Sequence, residues 1–258
     1  MKKYIFKIIA LCLVIFVFAP AMQSYAKEYY WYCKRNSEHT QPRCDRSFDF
    51  IEEYGGIYVD KAHGDDNEEK VIYLTFDVGY ENGNVGKIMD VMKDEGVVGS
   101  FFILGNVIER EPNLVKRMVD EGHIVCNHTV THKNLASKGE RAFVEEIEGL
   151  EKMYKDLTGR EMSKFFRPPE GTFDKEMLEF AQKMSYKTVF WSFAYADWDN
   201  NSQMAENVAL KKILDNLHNG EIMLLHPTSE TNAKIMRDLI RELKSQGYRF
   251  ATLEELNK

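Results

Sequence analysis

From residue 71 onward, short apolar runs alternate with amphipathic stretches, and this alternation constrains the fold more than any other feature. The runs are nearly all apolar, which is typical of parallel strands buried on both faces. They lie at residues 71–77, 100–105, 123–128, 164–168, 188–193, 221–226 and 249–253. The stretches between them carry apolar residues every three to four positions, as helices do. These lie at residues 84–94, 112–120, 140–157, 174–184, 205–218 and 231–246.

Strands that alternate with helices predict a parallel sheet covered by helices. We therefore predict an α/β fold, a parallel (β/α) barrel that is incomplete and seven-stranded, with an irregular N-terminal extension. An open doubly wound sheet is the alternative. The predicted organisation is a signal peptide at 1–26, the extension at 27–69 and a catalytic domain at 70–258.

The first residues have the pattern of a secretory signal peptide. Three lysines precede an apolar run at residues 8–19, and small residues at Ser24 and Ala26 suit a cleavage site. Because the run is short for a spanning helix, an uncleaved membrane anchor is the alternative. Either reading predicts an extracytoplasmic protein, secreted or held at the outer face of the membrane.

Composition excludes several classes of function. The 258 residues include 41 acidic and 34 basic side chains, and the net charge of -7 argues against a dedicated nucleic-acid binder. A share of 44% apolar residues excludes wholesale disorder. The single long apolar run excludes a multi-pass membrane protein.

The extension carries an aromatic cluster at residues 29–32 and two cysteines. We expect the aromatic rings to pack on the main domain, and a sugar-stacking surface is the alternative. Cys33 and Cys44 could form a disulfide outside the cell. Cys126 lies in an apolar stretch and is predicted to be a core residue.

Polar residues stand at the carboxyl ends of the predicted strands, where sites are built in such folds. They are Asp77, His128, Arg167 and His226, with Asp197 just past another strand. Asp77 is a candidate general base or a turn aspartate. Two prolines after Arg167 stiffen the backbone, and its guanidinium could pair with the Asp77 carboxylate.

The histidines divide into candidate site residues and others. A spacing of four predicts that His128 and His132 share one side of a helical turn and bind a divalent metal, or are simply hydrogen-bonded. Asp197 could raise the pKa of His226, which becomes a candidate general acid, and Trp198 could wall a sugar pocket. We assign no chemistry to His39, His63, His123 or His218, and leave the role of Glu170 open.

Five segments together resemble the motifs of polysaccharide deacetylases of the NodB type, carbohydrate esterase family 4. They are Thr75–Gly79, His128–His132, Arg167–Gly171, Asp197–Trp198 and Leu225–His226. Residues 76–83, 190–195 and 224–233 more narrowly resemble the muramic acid de-N-acetylases that make δ-lactam in bacterial spore cortex.

The resemblance implies hydrolysis of the N-acetyl amide of muramic acid in peptidoglycan, after an amidase has removed the peptide. His128 and His132 would bind a divalent metal, usually zinc. Asp77 would deprotonate water and be held by Arg167, and His226, tuned by Asp197, would protonate the leaving amine. Trp198 and Leu225 would shape the acetyl pocket.

One position departs from the family pattern. The typical first motif has two adjacent aspartates, and the second, a metal ligand, is replaced here by Val78. We therefore expect weakened metal binding or a metal-free enzyme. The alternatives are a catalytically silent glycan-binding protein and a deacetylase that acts on N-acetylglucosamine.

Overall fold

Strands and helices alternate along the chain as the apolar pattern predicts. The computed structural model describes residues 27–34 and 36–257, and the predicted signal peptide lies outside the described residues. The strands are β1 (Tyr29–Tyr30), β2 (Gly56–Ile57), β3 (Lys70–Val78), β4 (Ser100–Ile103), β5 (Ile124–Asn127), β6 (Phe165–Phe166), β7 (Thr172–Phe173), β8 (Lys187–Val189), β9 (Glu221–Leu225) and β10 (Tyr248–Phe250). The helices are α1 (Asn84–Asp94), α2 (Gly105–Arg110), α3 (Pro112–Asp120), α4 (Gly139–Thr158), α5 (Lys175–Lys183), α6 (Glu206–Leu214) and α7 (Glu230–Ser245).

All seven predicted strands form, and they join one parallel sheet. β3 pairs with β4, β9 and β10, and the sheet continues from β4 through β5 and β6 to β8. A parallel bridge between Phe193 and Met223 brings the chain after β8 alongside β9. The predicted incomplete (β/α) barrel is therefore confirmed.

The helices cover the outside of the sheet with their apolar faces. α1 and α7 pack on β3 and β4 through buried residues such as Met89, Phe101 and Leu239. α1 and α3 have the predicted bounds. α2 was not predicted, because six residues are too few to show a helical period.

The N-terminal extension is less irregular than predicted. β1 pairs antiparallel with β7, and β2 adds to the main sheet parallel to β8. Trp31 is buried, stacks on Phe190 with ring centroids 4.4 Å apart and donates its indole N–H to the Trp191 carbonyl. Tyr30 and Tyr32 stay exposed, so only part of the aromatic cluster packs on the main domain as expected.

The cysteines occupy two kinds of environment. Cys126 is buried in the interior of the sheet, as predicted. Cys33 and Cys44 are free thiols that face each other in an antiparallel bridge. Within the described residues, no helix is long and apolar enough to cross a membrane.

Candidate active site

The carboxyl ends of the parallel strands open onto a cavity of about 650 Å³. Asp77 is the penultimate residue of β3, His128 follows β5 and His226 follows β9. All three side chains line the cavity, together with His132 and Trp198. The parallel sheet thus gathers at one edge side chains that are as many as 149 positions apart in the chain.

Arg167 is fully buried and fixes Asp77. Its Nη1 donates to Asp77 Oδ1 at 2.7 Å, its Nη2 to Thr75 Oγ1 at 2.9 Å and its Nε to the Val189 carbonyl at 3.0 Å. The guanidinium also lies 4.1 Å from the centroid of the Phe102 ring. This set of contacts leaves Arg167 one orientation, with its charge directed at the carboxylate.

Electrostatics keep the Asp77 carboxyl ionised. Burial alone would raise its pKa, but the charge of Arg167, with a smaller contribution from His226, outweighs that effect and holds the pKa below its usual value. Asp77 Oδ2, which Arg167 does not bind, lies 3.6 Å from His128 Nε2. The carboxylate therefore has a free oxygen at the cavity, as a general base requires.

The two candidate metal-binding histidines meet by a different route from the one predicted. Residues 128–132 form a loop and not a helical turn. Positive φ angles at Thr129 (75°) and His132 (58°) fold the loop back and place the His128 and His132 ring centroids 4.9 Å apart. Two local hydrogen bonds hold this shape, because Asn127 Oδ1 accepts from Thr129 N and Thr129 Oγ1 accepts from His132 N.

His128 is neutral and has a defined tautomer. Its Nδ1 donates to the Arg167 carbonyl at 2.8 Å, so the Nε2 lone pair points toward Asp77. Burial lowers the pKa of His128 to about 4. A neutral imidazole whose second nitrogen bonds a backbone carbonyl is the usual arrangement of a metal-ligating histidine.

His226 forms a pair with the buried Asp197. Its Nδ1 donates to Asp197 Oδ1 at 2.7 Å, and its backbone N–H donates to Oδ2 at 2.8 Å. Burial works to lower the pKa of His226, but the hydrogen bond and charge of Asp197 outweigh it and raise the pKa. The protonated form of His226 is therefore favoured at the cavity, as a proton donor requires.

Asn232, on α7, completes this pair and was missed by the sequence reasoning. Its Nδ2 donates to Asp197 Oδ2 at 2.6 Å and to the His226 carbonyl at 3.0 Å, while its Oδ1 accepts from the Tyr195 hydroxyl. The amide is fully buried. An asparagine beyond a strand end carries no signal by itself, because only the docking of α7 brings it to the carboxylate.

The remaining predicted residues divide between wall and core. Trp198 lines the cavity and is mostly exposed. Leu225 is buried in the core, and its neighbour Leu224 lines the cavity instead. Glu170, whose role was left open, lines the rim beside Gly171, where a Cβ atom would lie 2.8 Å from Trp191.

Val78 gives no third metal ligand. It is fully buried among the apolar residues packed behind β3, while the preceding Asp77 lines the cavity. Among the described residues, no group of three histidine, cysteine or acidic side chains is arranged to hold a metal. The imidazoles of His128 and His132 are nitrogen donors of the kind a divalent ion takes, and water or substrate oxygens would have to supply its other ligands.

A buried, ionised carboxylate and a histidine with a raised pKa that face one cavity are typical of hydrolases in which one group activates water and the other protonates the leaving group. Comparison with known proteins agrees. The polysaccharide deacetylase family profile matches residues 64–189. The chain is 39% identical over 228 residues to the peptidoglycan-N-acetylmuramic acid deacetylase PdaA of Bacillus subtilis, covering 88% of this chain and 84% of that protein.

Two further comparisons extend this result. A peptidoglycan-N-acetylglucosamine deacetylase of Bacillus cereus is 30% identical, with 94% of this chain and 90% of that protein covered. The solved structure of Bacillus subtilis PdaA, a family 4 carbohydrate esterase, superposes with a TM-score of 0.84 at 36% identity, covering 90% of this chain and 97% of that one. The chain belongs to the polysaccharide deacetylase family and is a hydrolase of that family.

Proposed function

We propose that this protein removes the N-acetyl group of muramic acid in peptidoglycan outside the cytoplasm, as a step toward muramic δ-lactam in spore cortex. The observation that carries the proposal is that Asp77, bound by Arg167, and His226, bound to Asp197, face one cavity. The 39% identity to a muramic acid deacetylase supports the choice of sugar. The catalytic domain is proposed to begin near residue 70, after the signal peptide and extension.

The chemistry follows from the protonation states. Asp77 takes a proton from water as the water oxygen adds to the acetyl carbonyl, and the C–N bond then breaks as His226 protonates the leaving amine. Acetate and a free amine are the products. That amine attacks the lactyl carboxyl of the same sugar with loss of water, which closes the lactam. The carboxyl must be free, so an amidase has to remove the peptide first.

A divalent metal, with zinc as the first candidate, would be held by His128 and His132 and would polarise the acetyl carbonyl. We expect weak binding, because Val78 replaces a charged ligand. Acetate release that stops with chelator and returns with zinc supports this role. Release that is unchanged by chelator removes the metal from the proposal and leaves the hydrolase intact.

The test of the function compares acetate release from peptide-free peptidoglycan by the wild-type protein and by Asp77→Asn. Loss of the general base is expected to lower kcat/KM by about 10² to 10⁴. The amide is close in size to the carboxylate, and circular dichroism checks that the variant folds. Wild-type rates in Asp77→Asn would exclude the proposed role of this residue.

Deacetylation of N-acetylglucosamine is a second candidate. Among the described residues that line the cavity there is no lysine or arginine to receive a lactyl carboxylate, and Glu170 is acidic. A relative of 30% identity is named for N-acetylglucosamine. Mass spectrometry of the digested product decides between the two sugars, because it shows which residue has lost the acetyl group.

A further inference from the structure

Tyr30 is a large ring that the extension leaves at the surface. Its exposed fraction is 63%, although the neighbouring Trp31 is buried. The Tyr30 hydroxyl donates to Glu28 Oε1 at 2.8 Å, and the same oxygen accepts from Asn134 Nδ2 at 2.9 Å. The ring is therefore held in place without being covered, as expected of a surface prepared for contact.

Tyr30 adjoins the rim of the active-site cavity. In the pairing of β1 with β7, Tyr30 lies opposite Thr172. The backbone N–H of the next residue, Trp31, donates to the Gly171 carbonyl at 2.9 Å. Glu170 and Gly171 line the cavity. The Glu170 carboxylate is close enough to contribute to the raised pKa of Tyr30, after the larger effects of Glu28. Tyr30 does not itself line the cavity, but its neighbours across the β1–β7 pairing lead directly to two residues that do.

The polar groups around Tyr30 suit a neutral, hydroxyl-bearing ligand. Glu28 and Glu170 offer carboxylate oxygens that accept hydrogen bonds from sugar hydroxyls and repel a carboxylate. Lys27, which precedes Glu28 in the chain, lies over the Tyr29 ring, with its nitrogen 4.8 Å from the centroid. Tyr29 and Tyr30 are successive strand residues whose side chains point to opposite faces.

We infer that Tyr30, Glu28, Asn134 and Glu170 form a sugar-binding ledge for the uncharged N-acetylglucosamine next to the reacting residue of the glycan strand. The inference rests on the proposed function, because N-acetylglucosamine is the neighbour of every muramic acid in peptidoglycan. The apolar face of the pyranose stacks on Tyr30, and its hydroxyls donate to the carboxylates. A glycan strand long enough to reach the ledge binds more tightly than a glycan fragment that ends in the cavity.

The test measures KM and kcat for Tyr30→Ala on peptide-free glycan oligomers of two, four and six sugars. Loss of one stacking contact is expected to raise KM for the longer oligomers roughly three- to tenfold. The KM of the shortest substrate that turns over and all kcat values stay unchanged, because Tyr30 lies outside the reacting centre. Tyr30→Phe keeps the ring and is expected to retain the length dependence.

Tyr32→Ala is the matched control. Tyr32 is a tyrosine of the same extension, 47% exposed, whose hydroxyl donates to Asp45, a residue outside the proposed ledge. Its kinetics are expected to equal those of the wild type at every oligomer length. A rise in KM that is equal for short and long oligomers, or equal in the two alanine variants, would overturn the ledge.

Failure of the proposed function gives a different result. If the wild-type protein releases no acetate from any oligomer, the function is wrong, and calorimetry with a neutral N-acetylglucosamine hexamer tests the ledge directly. Binding that Tyr30→Ala weakens and Tyr32→Ala leaves unchanged supports it. Equal binding by all three proteins, or no binding by any of them, overturns it.

Discussion

At the scale of single residues, the site depends on two titratable groups with opposite charges. Arg167 favours the ionised form of Asp77, and Asp197 favours the protonated form of His226. Both shifts work against burial, which disfavours the charged form of each group. A base and an acid of this kind are present together over a range of pH only because each has its own buried partner.

The pairing of His226 with Asp197 leads to a prediction for the alkaline limit of activity. A raised pKa means that the imidazole stays protonated above the ordinary value of 6.5, so kcat/KM falls only at higher pH. In Asp197→Asn the attraction is gone while burial still lowers the pKa. We expect the alkaline limb of the pH–kcat/KM profile to move below that of the wild type. An unmoved limb would show that His226 is not the group that limits activity.

Asn232 is predicted to act through the same pair. Asn232→Leu removes the donor to Asp197 Oδ2 and leaves the carboxylate less well oriented. Partners that orient a functional histidine typically contribute 10- to 100-fold at metal sites, so we expect kcat/KM to fall by about tenfold or more. A purely structural role would lower the melting temperature without moving the alkaline limb, so both quantities are measured.

At the scale of elements, the short strand β6 matters because of the residue that follows it. Arg167 leaves β6 with its side chain directed across the interior of the barrel, where it reaches Thr75 and Asp77 of β3 and the Val189 carbonyl of β8. One side chain thus links three strands. Replacement of half of a buried ion pair leaves the other charge without compensation.

This arrangement predicts a large loss of stability. Arg167→Met is expected to lower the free energy of unfolding by about 3–5 kcal/mol in urea titrations, because the Asp77 carboxylate stays buried. The control is Arg141→Met, since Arg141 pairs with Glu145 at 2.7 Å but is 92% exposed. That change is expected to have little effect on stability, because solvent screens an exposed ion pair. Equal effects in the two variants would contradict the importance of burial.

At the scale of the whole molecule, the extension is built into the barrel. β2 lengthens the main sheet, and β1 forms a second sheet with β7 beside the cavity. Trp31, Phe48 and Ile51 join a core cluster with residues of α4 and α5. The predicted boundary at residue 69 is therefore crossed by strand pairing and by apolar packing.

The two facing cysteines of the extension lead to a prediction about the stability of the whole molecule. Residues opposed in an antiparallel bridge have Cα atoms about 4.5–5.5 Å apart, within the range of disulfides. We expect protein from an oxidising compartment to contain a Cys33–Cys44 disulfide, which stabilises it by roughly 3 kcal/mol. Mass spectrometry would show a loss of two hydrogens, and reductant would lower the melting temperature. Cys33→Ser protein, which lacks the bond, should not respond to reductant.

The sequence by itself determined the class of fold and most of the side chains at the site. Seven apolar runs that alternate with helices favour a parallel sheet buried on both faces, and the polar residues that end those runs then share one edge. The helices could be predicted as well, because apolar residues at every third or fourth position form one face that a helix buries against the sheet. The absence of a carboxylate at Val78 was equally visible, because a valine side chain has no ligating atom.

Only the tertiary structure decided how those side chains are held. The His128–His132 loop depends on left-handed backbone angles that a spacing of four does not reveal. Asn232 reaches Asp197, and Tyr30 reaches the cavity rim, because α7 and β1 dock where they do. These contacts join residues 35 to 142 positions apart, and contacts over such distances arise from packing, which local sequence patterns do not encode.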